Sequence, residues 1–108
     1  MVSSAPITDL GIPERPMEIA TQIATEVKRR FGDEVQMIWY GSWVKGTARP
    51  HSDLDLAVHA RQPIPHHEMV ALRDWVDELR TLYSVDLVDL DEVGPDLRHQ
   101  IVREGVPL

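Results

Sequence analysis

"GSWVKGTARPHSDLDLAV", residues 41–58, decides how the rest of the chain is read. It opens on a glycine-serine pair and closes on two aspartates, Asp53 and Asp55, set among leucines in an apparently buried strand. Aspartate is a poor strand former, so a pair at i and i+2 needs a reason. In a strand, residues two apart project to one face, with Cα atoms about 6–7 Å apart. Asp53 and Asp55 therefore share a face, while Leu54, Leu56 and Val58 turn to the other and supply core. Two ionised carboxylates so placed repel each other unless a cation intervenes, and hard oxygen donors suit Mg²⁺ or Mn²⁺. Read in isolation, the pair is equally compatible with a solvated polar face.

Upstream, a strand that ends in Gly-Ser and enters a helix presents backbone N–H groups and a hydroxyl, an arrangement suited to phosphate. Alone, Ser42 reads as an ordinary N-cap. A phosphate cradle followed about ten residues later by a cation-binding pair describes a seat for a metal–nucleotide complex.

Outward from this stretch the chain alternates helix and strand patterns. Ile19, Ile23 and Val27 recur every four residues, which predicts a helix over about Glu14–Phe31, with Lys28, Arg29 and Arg30 at its end and Gly32 as its stop. "EVQMIWY", residues 34–40, predicts a strand, and a short helix follows over about Ser42–Thr47. Pro50 keeps the next segment a loop. "DLDLAVHA" is the second strand, a long helix spans about His66–Tyr83, and "SVDLVDL", residues 84–90, is the third strand. Pro95 opens a last helix that Gly105 closes. Residues 1–13 read as a flexible N-terminal arm. The order implies one α/β domain over residues 1–108, a sheet flanked by helices.

Composition narrows the function. Eleven Lys and Arg against 18 Asp and Glu give a net charge of −7, which disfavours long nucleic acid as a partner. The absence of cysteine excludes disulfides and thiolate metal sites and fits a reducing cytoplasm. No apolar run reaches the roughly 18 residues of a membrane span, and the first residues lack a secretory pattern.

Taken together, "G-S…G-x-A-R-P-x-S-D-x-D-L" resembles the signature of the polymerase-β-like nucleotidyltransferases, and the small size most resembles their minimal (MNT) group. "VDLVDL" and the closing "IVREGVPL" resemble the same group, so the likeness runs from about Val35 to Leu108. Trp43 departs from it, standing where many members carry a basic residue; Lys45, two positions on, is basic. The resemblance implies a small mixed sheet flanked by helices and transfer of a nucleoside monophosphate, AMP from ATP by family weight, with release of pyrophosphate. It implies nucleotide contacts at Gly41, Ser42, Lys45 and Ser52, and two Mg²⁺ or Mn²⁺ ions on Asp53, Asp55 and a third carboxylate. For that third group, parity puts Asp86 and Asp89 on opposite faces, so only one can join the pair. The family pattern favours Asp86, with a role in activating the attacking hydroxyl. The resemblance further implies a separate helical partner of the HEPN type, modified by an antitoxin, with Trp43 as a candidate docking residue. A non-catalytic module that neutralises such a partner is the alternative.

Several other residues read more plainly. "HHEMV", residues 66–70, lacks the H-E-x-x-H spacing and is a solvated helix start. His51 is a surface loop histidine, and Trp39, Tyr40 and Trp75 are packing residues. Serine hydrolysis through Ser42 lacks a G-x-S-x-G elbow.

Overall fold

Apolar residues spaced along one helical face account for the first element, α1 (Glu14–Phe31), which buries Ile19, Ala20, Ile23 and Val27 against a sheet. A computed structural model describes residues 6–108 of the chain. The remaining elements are β1 (Gln36–Tyr40), α2 (Ser42–Lys45), β2 (Leu54–His59), α3 (His66–Asp77), β3 (Val85–Asp89), α4 (Pro95–Glu104) and β4 (Val106–Pro107). The sheet order is β3-β2-β1-β4, with β2 parallel to β3 and β1 antiparallel to both β2 and β4. This is the mixed sheet flanked by helices that the resemblance implies.

Alternation along the strands separates two faces. Met37, Trp39, Leu54, Leu56, Val58 and Leu87 point into a core closed by α1 and by Met69, Leu72 and Val76 of α3. Cutting a fully buried member such as Leu56 to alanine costs about 2–5 kcal/mol. On the opposite face Ile38, Tyr40 and Ala57 meet Leu90 and Ile101, the latter from α4. That face is only partly covered, and its open end carries the carboxylates.

Three expectations change. Periodicity carried α3 to Tyr83, but the helix stops at Asp77. The chain must turn back there, because Ser84 already accepts a hydrogen bond from the Leu54 N–H at 2.9 Å as β3 begins. Leu79 and Tyr83 still pack on the core from this irregular segment, while Leu82 is 86% exposed. Second, the closing residues form β4, an unforeseen strand. Gly105 permits it: an added Cβ would strike the Ile38 side chain and the Ile101 carbonyl, so only glycine lets the chain cross β1 so closely. Third, the arm expected over residues 1–13 is ordered in its described part. Ile7–Leu10 form a 3-10 turn, and Ile7 and Ile12 pack against the core; residues 1–5 lie outside the described residues.

Candidate functional site

At the C-terminal end of β1 the backbone takes a conformation that only glycine adopts easily, with Gly41 at φ 85° and ψ −157°. The second reason for glycine is spatial. A Cβ at position 41 would lie 3.0 Å from the carboxyl carbon of Asp55 and 3.2 Å from its Cβ. The Asp55 carboxylate thus sits over the Gly41 Cα, just where α2 starts with Ser42. Gly46, at φ 77°, ends this single turn, and the Thr47 N–H donates to the Ser42 carbonyl at 3.0 Å.

The loop back to β2 is tied by Ser52. Its Oγ accepts the Arg49 N–H at 2.7 Å, and its carbonyl accepts the Trp43 indole N–H at 3.0 Å. Ser52 therefore shapes the loop, with its hydroxyl proton still free to donate to a ligand. Trp43 corrects an expectation: it is 8% exposed, packed in the main core and edge-on to Tyr83 at 6.1 Å. A large apolar side chain on the inner face of α2 serves packing, and Trp43 is not a surface for docking.

Strand register brings the carboxylates together. Asp55 of β2 pairs with Tyr40 of β1 on one side and with Asp86 of β3 on the other. Tyr40, Asp55 and Asp86 therefore form a row across three strands on one face, with Asp53 one step ahead of β2 on the same side by parity. Asp86 and Asp53 are exposed and Asp55 is half-buried. Asp89 stands elsewhere: it is buried, shares the parity of Leu87, and its Oδ1 accepts the Asp91 N–H at 3.0 Å. It closes the turn after β3.

The electrostatics follow from this row. Burial, then Asp86, then Asp53 push the Asp55 carboxyl up to about 6, with Lys45 acting the other way. Burial, then Asp86 and Asp55, hold the Tyr40 phenol above its ordinary value, so it stays protonated beside them. Lys45 extends its Nζ to 3.6 Å from Glu104 Oε1 at the end of α4. Reading the sequence identified neither Tyr40 as a member of the row nor Glu104 as a neighbour. Tyr40 carried a signal, its place as the last strand residue before Gly41; Glu104 carried none, because β4 had not been foreseen.

These donors fit a hard divalent cation. They are carboxylates under mutual repulsion, relieved only in part by Lys45. Among the described residues no three His, Cys, Asp or Glu side chains close into a cage of their own. Mg²⁺ typically binds through one or two carboxylates together with waters and substrate phosphates, so an open carboxylate row suits it better than a closed cage. Among the described residues no helix is long and apolar enough to cross a membrane.

Known proteins share this fold. A chain from a toxin–antitoxin complex solved with AMP-PNP is 26% identical, with a TM-score of 0.61 over 80% of this chain and 69% of that one. An MNT antitoxin chain in complex with tri-AMPylated HEPN toxin of Shewanella oneidensis is 20% identical, covers 85% of this chain and 70% of that one, and superposes at a TM-score of 0.64, a likeness of fold. In sequence, a Haemophilus influenzae protein named "Probable protein adenylyltransferase MntA" is 35% identical over 68 residues, 62% of this chain and 59% of that protein. An adenylyltransferase-named relative of Methanocaldococcus jannaschii is 34% identical over 74 residues, 64% of this chain and 49% of that protein. The chain thus matches about half to three fifths of the length of these two relatives. The model of the Polymerase beta nucleotidyltransferase family matches residues 17–108, a span that contains the Gly41–Ser42 turn and the whole carboxylate row, and the chain belongs to that family.

Proposed function

We propose that this protein is a metal-dependent nucleotidyltransferase that moves AMP from ATP to a hydroxyl on a separate HEPN-type helical protein, acting as a modifying antitoxin in the cytoplasm. The observation that carries the reading is the meeting of Asp53, Asp55 and Asp86 beside the Gly41–Ser42 turn at one end of the sheet. Family membership supports the reaction type. The names of the relatives and the contents of the neighbouring complexes support the nucleotide and the partner.

In this reading Gly41 and Ser42 hold nucleotide phosphates through backbone N–H groups and the serine hydroxyl, with Lys45 and Ser52 beside them. Asp53, Asp55 and Asp86 would hold two divalent ions. Bound there, Mg²⁺ or Mn²⁺ supplies positive charge against the triphosphate and lowers the pKa of the attacking hydroxyl. The acceptor oxygen bonds to the α-phosphorus, the bond to the β-phosphate oxygen breaks, and pyrophosphate leaves. Asp86 accepts the hydroxyl proton. Tyr40, neutral and buried, walls the row without adding charge.

Asp53 and Asp86 are exposed, so the site by itself is open to water. Enclosure and orientation of the acceptor are then the partner's contribution. Leu82, 86% exposed and four residues ahead of Asp86, replaces Trp43 as the apolar residue that such a partner would cover. The test is co-expression with a HEPN-type protein, size-exclusion chromatography, and transfer from α-labelled ATP with and without EDTA. Metal-dependent labelling of the co-eluting partner, lost in Asp53→Asn and Asp55→Asn, is the expected result. A complex that never becomes labelled would leave only the neutralising module, and efficient labelling of a small molecule by the lone chain would overturn the partner.

A further inference from the structure

We infer that Glu104 is a positioning residue for the nucleotide site: in the free protein it holds Lys45, which must exchange partners when a nucleoside triphosphate binds. The inference rests on the reading above, in which Lys45 meets phosphate. Lys45 Nζ lies 3.6 Å from Glu104 Oε1, and its charge also reaches Asp55, the central carboxylate of the row. One ammonium is thus shared between a carboxylate of α4 and the carboxylates of the site.

The two partners differ in freedom. Glu104 is held: the Gln100 Nε2 donates to its Oε2 at 3.2 Å, and Arg103 lies 3.8 Å from its Oε1. The residue after it, Gly105, is fixed by an N–H bond to the Ile101 carbonyl at 2.8 Å and by close approach to Ile38. Only 15% of the Glu104 side chain is exposed. Lys45 is the movable member, a long side chain 45% exposed at the end of a one-turn helix, with open space around the following Gly46. At 3.6 Å, with its lysine half-exposed, the pair is weak, so the lysine can leave it. A triphosphate offers the ammonium more negative charge than one carboxylate does. Glu104 then acts as a competitor that moderates nucleotide affinity and takes the lysine back when the phosphates leave.

The experiment is a double-mutant cycle read by calorimetric titration of the β,γ-imido analogue of ATP with Mg²⁺. Glu104→Gln keeps the size of the side chain and a hydrogen bond to Gln100 while removing the charge. It should tighten binding roughly two- to five-fold, the scale of an exposed ion pair. Lys45→Ala should weaken binding, and adding Glu104→Gln to it should change nothing more. A generic loss of negative charge would tighten binding equally in both backgrounds, and that result overturns the proposal. So does unchanged or weaker binding in Glu104→Gln while Lys45→Ala still weakens it; the phosphate role of Lys45 would then survive alone. Unchanged binding in Lys45→Ala overturns both.

Discussion

Replacing Asp55 by asparagine should stabilise the metal-free protein at neutral pH, by an amount that depends on pH. The folded Asp55 carboxyl ionises near 6 in place of the ordinary 3.8, because burial, Asp86 and Asp53 disfavour its charge. For a fully buried group that rise corresponds to about 3 kcal/mol. Asp55 is only partly buried, and screening by solvent reduces the effect to about 1–2 kcal/mol. The sign follows from proton counting. Between about pH 4 and pH 6 the unfolded chain has lost this proton and the folded chain has kept it, so wild-type stability falls as pH rises through that window. Above it the whole deficit is present, and below it none. Asp55→Asn cannot ionise and keeps the volume over Gly41, so its advantage should be nil near pH 4 and full by pH 7. Urea unfolding of both proteins in EDTA, at half-unit steps from pH 4 to pH 8, measures the difference directly. Mg²⁺ should then reverse the order: a cation at 100 times its Kd adds about 2.7 kcal/mol to a protein that binds it only when folded. A difference that is flat with pH, or an asparagine variant less stable than wild type at pH 8, would refute the crowding of carboxylates on which the site rests.

Other substitutions separate the remaining roles. Gly41→Ala forces a side chain into a glycine-only backbone region and against Asp55, so it should cost about 1–3 kcal/mol in chemical unfolding and abolish AMP transfer while the circular dichroism stays native. Asp86→Asn should stop transfer yet spare most nucleotide binding in titration. Asp89→Ala should retain transfer but lose about 1–2 kcal/mol of stability with its hydrogen bond to the Asp91 N–H. Leu82→Glu should leave unfolding within about 0.5 kcal/mol of wild type, since the side chain is exposed, while weakening co-elution with the helical partner.

The parts of this fold that local periodicity encodes were legible. Ile19, Ile23 and Val27 mark α1 correctly to its last residue, and alternation in "DLDLAV" assigns Asp55 and Leu56 to opposite faces. Parity also separates Asp86 from Asp89, but it cannot say which of them meets Asp55; that needs the register of β2 against β3, a tertiary quantity. Leu82 shows the opposite failure. Its spacing from Leu79 looks helical, yet the demand that β3 start beside Leu54 ends α3 early and leaves Leu82 in water. Trp43 misled because a departure from a family pattern suggests a new surface role, whereas its indole fills the core and ties the loop at Ser52. The Glu104 contact depends on β4, a two-residue strand whose tight crossing at Gly105 has no periodic signature.

The row of Tyr40, Asp55 and Asp86 also explains why the face that carries it is the thinly covered one. Neighbouring strands stand about 4.8 Å apart, so carboxylates on adjacent strands in register cannot be separated without breaking the sheet. A helix laid over them would deepen their desolvation and push Asp55 further toward its neutral form, which cannot hold a cation. Instead α4 packs where Ile38, Ala57 and Leu90 are apolar and leaves the acidic end open. The charge is kept, at the expense of an open site and some stability. Under the proposed function both would be relieved by the same event: a metal–triphosphate complex would bring the counter-charge, and an acceptor protein over it would bring the cover. Ligand affinity and acceptor docking would then be coupled through one feature of the sheet, the in-register meeting of Asp55 with Asp86.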